Sequence, residues 1–531
     1  RCRAGRYPGR SDALRRWGRG VNAAAKVFRD TFVDSVAQLG ATRAMRDVDG
    51  VEWASAAMGT PANLETLRDR GVDPADIADA GSNDFFVVVT AASEDVAGEA
   101  LSAGERAVFA ARSQRDDQVQ TQPRSVRQAI ERQPDANVAV ISVPGEYAAL
   151  AAFQALARGL HVLLFSDNVP LEKEIALKDF ATERGLLVMG PGAGTAMIAG
   201  VGLGFANVVK PGRVGVVAAA GTGAQEVMSL LDRWGVGVSQ VLGLGGRDLA
   251  DEVGGRMALP AIEALREDDG TDVILLVSKP PAAAIAAQVL AAAGSTPLVA
   301  ALIGLDPAFV APDGVLLADT LEGAAAATLR VLGRPAPDTV STIGPTAAQA
   351  RGRVAERRSL VRGLFSGGTL CSESQVVLGS VLGEVRSNVP VEPARGLPAP
   401  PGSHLCLDLG EEEYTRGRPH PMIDAEARID VLHEQGADPQ VAAIILDVVL
   451  GHGAHPDPAA VLAPACESVM ADGGPQVVAY VLGTEQDPQG FAAQRDRLAQ
   501  AGCIVTETAA RASLVAAAVA TGDLTVADRR L

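Results

Sequence analysis

The sequence predicts an α/β chain built of tandem doubly wound domains, preceded by a small α+β domain. Three observations predict it. Apolar runs of strand length alternate with helical patterns from Asn137 onward, the runs are bounded by Gly or Pro, and three successive runs between Gly185 and Asp248 each end in a glycine-rich loop. A glycine loop after a buried strand lets bare N–H groups approach an anion, and the helix that follows turns its positive end to the same place. In open parallel sheets such loops lie at the carboxyl ends of the strands, where ligands bind.

The chain has 531 residues, too many for one hydrophobic core, and 47% of them are hydrophobic. The formal net charge is -17. No basic run follows the extreme N-terminus, which argues against nucleic acid as a partner. The five cysteines, Cys2, Cys371, Cys406, Cys466 and Cys503, are widely spread and without CxxC spacing, so reduced thiols in a cytoplasmic protein are expected. Gly, Pro or charge interrupts every apolar run, so no membrane partner is expected.

Taken in order, residues 1–26 read as a disordered extension, since the first twenty carry seven arginines and begin without methionine. Residues 27–101 read as the small α+β domain, with a helical face at Val33, Val36 and Leu39, an alternating strand from Val51, a helix from Pro61 and a buried strand from Phe85 to Thr90. Residues 102–124 are polar and read as a linker. The first doubly wound domain, 125–210, has strands at Val138–Val143 and His161–Phe165 and ends in the loop Gly190-Pro191-Gly192-Ala193-Gly194-Thr195. The second, 211–332, holds the strand Arg213–Ala220 with Gly221-Thr222-Gly223, the strand Ser239–Leu242 with Gly243-Leu244-Gly245-Gly246-Arg247-Asp248, and the strand Val273–Val277 with Ser278-Lys279-Pro280-Pro281. Residues 333–360 form a Pro-, Ala- and Arg-containing connection, and 361–531 a third α/β domain with Gly367-Gly368-Thr369 near its start.

The order of these loops resembles succinyl-CoA synthetase, with the nearest likeness in its FdrA branch. Residues 188–195, 212–226 and 243–248 look like the three glycine segments of the ligase α-subunit, and residues 440–520 are similar to the carboxyl-terminal ligase domain of the β-subunit. The FdrA-like signatures are Met58 to Asn63, Leu164 to Val169, Gly243 to Leu249, Ser278 to Pro281, Gly367 to Leu370 and Gly417 to Asp424. The resemblance implies a Rossmann-like CoA-binding-type domain at 125–210 and flavodoxin-like ligase domains after it. It also exposes a departure. The ligases carry phosphate on an active-site histidine, and no histidine lies between His161 and His404 here. The polar pair of the first ligase loop is likewise replaced, by Gly192-Ala193.

The resemblance therefore implies a subunit of a carbamoyltransferase that splits oxalurate or a related N-carbamoyl compound with phosphate to give carbamoyl phosphate, working with other subunits. Backbone donors suit the charge that develops in such a step. Two alternatives stay open: an acyl-CoA synthetase or CoA-binding protein working by a modified route, and a non-catalytic scaffold subunit. No cofactor is implied with certainty; phosphate or carbamoyl phosphate is the expected small-molecule ligand, and the fold admits coenzyme A. The expected phosphate-binding residues are Gly190, Gly192, Gly194, Thr195, Gly221, Thr222, Gly223, Gly245, Gly246, Arg247, Gly367, Gly368 and Thr369. Lys279 and Arg247 stand at strand ends, where each is either an anion-binding cation or a solvated charge. Arg418, His420 and Asp424 place a cation, a base and an acid in one proline-flanked loop, which is either catalytic or a structural turn. His452 and His455 fit metal spacing only loosely and are expected in an exposed loop, and Cys371 is expected to be a buried small side chain.

Overall fold

The computed structural model describes residues 13–17, 21–31, 33, 35–69, 77, 80–113, 123, 125–340, 343–415 and 419–531. It divides into two compact units, one of residues 1–122 with 412–424, the other of 123–411 with 425–531.

The first unit is built on an antiparallel sheet of β1 (Ala13–Trp17), β2 (Val21–Phe28), β3 (Val51–Met58) and β4 (Phe85–Ala91), in the order β1-β2-β4-β3. Strand β4 is central, and its alternation sorts two cores. Phe85, Val87 and Val89 pack with Ala41, Met45 and Ala97, while Phe86 and Val88 pack with Leu67 and Ile77. Two expectations are corrected here. Residues 13–17 and 21–26, expected to be disordered, lie in strands, because β2 pairs with β4 along its whole length. The expected linker begins inside the helix Glu94–Ser113, whose Ala97, Ala100 and Val108 lie on one buried face.

The second unit holds three sheets, two of them wholly parallel and one mixed. The smallest has β5 (Val138–Ile141), β6 (His161–Leu164) and β7 (Val188–Met189), in that order. A seven-stranded sheet contains β8 (Thr195–Ile198), β9 (Val201–Gly204), β10 (Pro211–Ala219), β11 (Val238–Gly243), β12 (Val273–Ser278), β13 (Leu298–Leu302) and β14 (Val315–Ala318). Its order is β14-β13-β12-β10-β11-β8-β9, parallel from β14 to β11 and closed by the antiparallel β8–β9 hairpin, which sequence periodicity did not disclose. The third sheet contains β15 (Leu360–Phe365), β16 (Val385–Ser387), β17 (His404–Asp408), β18 (Val441–Val449), β19 (Gln476–Leu482) and β20 (Ile504–Thr506), all parallel, in the order β16-β17-β15-β18-β19-β20. Within the expected connection 333–360, the helix Ile343–Arg353 buries Ala347 and Ala350 and belongs to this packed unit.

Each of the two large sheets has a topological switch point at an interior strand. The chain leaves β10 for β11 on one side and later returns to β12 on the other, and β15 is flanked in the same way by β17 and β18. The helices that follow β10 and β15, Gly221–Arg233 and Gly368–Leu382, start where such folds place ligands.

Candidate functional site

The Gly221 and Gly368 helices meet at their first turns. A methyl on Gly223 would stand 2.8 Å from Thr369 Cγ2, and a methyl on Gly367 would stand 2.6 Å from Thr222 Oγ1. Each threonine thus occupies the space that the other turn's glycine leaves open. Neither helix has a side chain capping its N-terminus, so both leave N–H groups for an outside acceptor. Two positive helix ends side by side repel unless an anion lies between them or beside them.

Lys279 enters the same place from the end of β12. A methyl on Gly368 would collide with Lys279 Nζ and stand 2.7 Å from Asp408 Oδ2, at the end of β17. Among the described residues no carboxylate or carbonyl accepts a hydrogen bond from Lys279 Nζ. Asp408 Oδ1 accepts from the Gly410 N–H at 2.9 Å. Burial pushes the Asp408 carboxyl up to about 6, with the Lys279 ammonium opposing the rise. Below it, Asp447 holds the turn after β15 by accepting from Ser366 N at 2.9 Å and pairing with Arg428 at 2.8 Å.

Further along the helices stand two buried glutamates, Glu226 and Glu373, each five residues beyond the leading glycine of its turn. Glu226 Oε2 accepts from the Tyr480 hydroxyl at 2.5 Å and Glu373 Oε1 from Leu321 N at 2.7 Å. Among the described residues their other oxygens have no hydrogen-bond partner. Burial pushes Glu226 up to about 7, and burial and then the nearby Glu226 push Glu373 up to about 8.

The other glycine loops are internally engaged. A methyl on Gly245, at φ +82°, would meet the Pro191 carbonyl, and a methyl on Gly192 would stand 3.0 Å from Asp167 Oδ1. Gly194 accepts from Phe205 N at 2.7 Å and Thr195 Oγ1 donates to the Phe205 carbonyl at 2.8 Å. Arg247 pairs with Glu174 at 2.8 Å and donates to the Val169 carbonyl at 2.7 Å. Behind it, the buried Lys178 pairs with Glu174 and Asp248, each at 2.7 Å. Of the residues expected to bind an anion, the structure joins Gly221, Thr222, Gly223, Gly367, Gly368, Thr369 and Lys279; Gly190, Gly192, Gly194, Thr195, Gly245, Gly246 and Arg247 form a separate loop cluster with its own ion network.

His420 and Asp424 lie in the segment that groups with the first unit, and Arg418 lies outside the described residues. His420 forms a turn: its carbonyl accepts from Ile423 N and Asp424 N, and its Nδ1 from Met422 N. Cys371 is buried as expected, and burial holds its thiol well above the ordinary range. His452 is exposed, but His455, expected on the surface, is buried, because its Nδ1 accepts from Asp457 N at 3.0 Å and draws the ring into the loop.

Asp408, Glu226, Glu373 and Tyr480 were missed from sequence. One signal was there: Gly-Thr-x-x-x-Glu occurs at 221–226 and again at 368–373, which marks the two helices as counterparts.

Comparison with known proteins gives this arrangement its class. A family model described as CoA-ligase matches residues 364–519, one described as CoA binding domain matches 209–304, and one described as AllF, heavy metal-associated domain, matches 21–125. The succinate–CoA ligase α subunit of Methanothermobacter thermautotrophicus is 28% identical over 148 residues, covering 27% of this chain and 49% of that one. A structure of ATP citrate lyase from Methanothrix soehngenii is 20% identical, covers 40% of this chain and 37% of that chain, and superposes with a TM-score of 0.30. The protein is thus of the succinyl-CoA synthetase-like superfamily, with CoA-binding and CoA-ligase domains.

The protein YahF of Escherichia coli K12, named as uncharacterized, is 37% identical over 498 residues, covering 92% of this chain and 96% of that one. The chain belongs to the YahF family. The expected enzyme class, a carbamoyltransferase subunit, is corrected: the matched domains and the related succinate–CoA and sulfoacetate–CoA ligase subunits point to CoA-ligase-type enzymes. The metal implied by the description of the N-terminal domain does not fit its residues. Residues 21–125 contain neither Cys nor His, Met45 and Met58 are buried in its core, and among the described residues no cluster of three His, Cys, Asp or Glu groups could hold a metal ion. Among the described residues no helix is long and apolar enough to cross a membrane.

Proposed function

We propose that the second unit is a CoA-ligase-type acyl-transfer unit of the FdrA branch, which seats a phosphate or acyl phosphate on the Gly221 and Gly368 turns. The observation that carries this reading is Lys279, a cation from which no described residue accepts a hydrogen bond, beside two uncapped helix N-termini and the Asp408 carboxyl. In the step proposed, a coenzyme A thiolate attacks the acyl carbon, a C–S bond forms, the C–O bond to phosphate breaks, and phosphate leaves onto Lys279 and the Thr222 and Thr369 turns. Asp408, titrating near 6, takes the thiol proton. No phosphohistidine is needed, because the phosphoryl group stays with the acyl donor until it departs. The relatives named as subunits favour partner subunits for this chain too. The buried free thiols of Cys371, Cys406, Cys466 and Cys503 favour the cytoplasm.

The test is titration calorimetry of the full chain with inorganic phosphate, acetyl phosphate and coenzyme A. Lys279→Ala is expected to weaken phosphate and acetyl phosphate by about 10–100-fold, the range for one charge-assisted hydrogen bond, and to leave coenzyme A affinity unchanged. Equal phosphate affinity in the variant, or no heat with any of the three ligands, would sink the reading.

A further inference from the structure

Asp408 stands at the end of β17 with little to fix its carboxyl. Among the described residues the one hydrogen bond that this carboxyl accepts comes from Gly410 N. Its direction must therefore come from the backbone that carries it.

Strand β16 gives that backbone a neighbour only in part. The two strands pair Val385 with His404, Arg386 with Leu405 and Ser387 with Cys406. There β16 ends, while β17 runs on to Asp408. On the other side β17 stays beside β15, where Phe365 is the partner of Asp408 and its carbonyl accepts from Leu409 N at 2.8 Å. By the alternation of a strand, the N–H and C=O of Asp408 itself then point away from β15, to the side that β16 has left. Backbone groups buried there need partners from elsewhere.

Asn388 supplies them with its side chain. Its Oδ1 accepts from Asp408 N and its Nδ2 donates to the Asp408 carbonyl, each at 2.9 Å. A short primary amide offers a donor and an acceptor together, so one side chain extends the ladder by a step and grips Asp408 by both of its backbone groups.

The loop that carries Asn388 is itself tied down. Gln375, buried on the helix Gly368–Leu382, donates to the Val389 carbonyl at 3.1 Å and accepts from Val391 N at 3.0 Å. Ser387 Oγ accepts from Val389 N at 3.1 Å. At the far end of the loop, a methyl on Gly304 would stand 2.5 Å from Val391 Cγ1 and 3.1 Å from Pro280 Cγ, and Pro280 follows Lys279. Residues 388–391 thus hang from the helix whose first turn holds Gly368, grip Asp408 at one end and stand beside the Lys279 turn at the other.

We propose that Asn388 is a positioning residue, which fixes the Asp408 backbone so that the carboxyl faces Lys279 and the Gly368 turn and can take the thiol proton there. The proton transfer belongs to the function proposed above, whereas the positioning rests on the ladder geometry.

The test first reads Asp408 in the ligand-free full chain. Carboxyl carbon resonances of isotope-labelled aspartate are followed from about pH 4 to about pH 8, with Asp408→Asn identifying the signal. Native Asp408 is expected to titrate at about 6, and in Asn388→Ala to drop by at least about one unit toward the ordinary aspartate value. Burial, which raises this titration most, is what the variant relieves; Lys279, which lowers it, and Glu411 and Asp447, which raise it, are the same in both chains. Asn388→Ser, whose hydroxyl serves one of the two backbone groups at a time, is expected to lie between, and it carries the test if the alanine variant does not fold. The same titration in the variants as in the native chain overturns the positioning. Thioester formation from acetyl phosphate and coenzyme A is then followed, and Asn388→Ala is expected to lower kcat by about 10–100-fold with KM for acetyl phosphate nearly unchanged. A moved titration with native kcat overturns the proposal too, since the reaction would then not need Asp408 in this place. A native chain that forms no thioester counts against the function proposed above, and the titration by itself then decides whether Asn388 positions Asp408.

Discussion

The two buried glutamates behind the helix turns make stability depend on pH in a direction opposite to that of ordinary ion-paired carboxylates. Glu226 and Glu373 are raised from 4.5 to about 7 and about 8. Both are therefore protonated in the folded chain at pH 6 and ionised in the unfolded chain. The folded state binds the extra protons, so the stabilisation they lend is full below pH 4.5 and declines as pH rises, until each folded value is passed. Between pH 6 and pH 8 Glu226 forfeits one unit and Glu373 two, and three units at about 1.36 kcal/mol each amount to about 4 kcal/mol. The groups around the pair do not cancel this: Arg233 lowers Glu226, but Glu322 raises both. Glu373→Gln removes the larger share. Urea unfolding at the two pH values, followed by circular dichroism, is expected to show a native loss of about 4 kcal/mol and, in the variant, a loss smaller by about two thirds. The same pH dependence in Glu373→Gln as in the native chain would refute the assignment of neutral, proton-bearing carboxyls to this site.

The remaining predictions concern the same unit. Arg511 is buried and donates to both oxygens of Glu322, with Nη2 at 2.8 Å; Arg511→Leu leaves that carboxylate with only the Thr339 and Thr508 hydroxyls and is expected to destabilise by about 3–5 kcal/mol in thermal unfolding, with part recovered by adding Glu322→Gln. Gly368→Ala puts a methyl where Lys279 Nζ and Asp408 Oδ2 converge; because the lysine tip can swing away, the melting temperature is expected to stay nearly native while calorimetric phosphate affinity falls as far as in Lys279→Ala.

The fold was legible because its signals are local. The runs at β6, β10, β12, β15, β18 and β19 are buried on both faces, and each ends in Gly, Pro or a small polar residue, which parallel sheets impose on any sequence. The β8–β9 hairpin escaped because Val201 to Gly204 carries two glycines in four residues and is largely exposed, so it has no periodic apolar face. The site was legible by half. Gly221, Thr222, Gly367, Gly368 and Lys279 sit at strand ends, where chemistry follows from backbone position alone. Asp408 and Tyr480 lie far away in sequence, and nothing in a strand of apolar neighbours distinguishes a buried functional carboxylate from a surface one. Arg247 shows the converse. It looked like an anion-binding cation at the end of a strand, yet its anion is Glu174, brought up by a helix that sequence alone does not place.

On the function proposed, the repeated Gly-Thr-x-x-x-Glu gives a chain without a histidine between His161 and His404 another way to gather phosphate. The turns that open the two helices interlock, Gly223 admitting Thr369 and Gly367 admitting Thr222, and the two uncapped helix ends direct their positive fields to one place. Two positive helix ends brought together repel each other. A further cation, Lys279, makes the problem worse at the front of the helices. At the back, two ionised glutamates would offset it, but at the expense of a second repulsion between Glu226 and Glu373 inside an apolar core. Carboxyl groups that keep their protons near neutrality avoid both difficulties. They fix the helices by accepting from the Tyr480 hydroxyl and the Leu321 N–H and leave Asp408 as the carboxyl that faces Lys279 at the front of the site. On the function proposed, a phosphate adds negative charge to this front beside Lys279 and both helix ends. Phosphate is therefore expected to raise the melting temperature of the native chain more than that of Lys279→Ala, by mass action on a folded state whose repulsion the ligand removes.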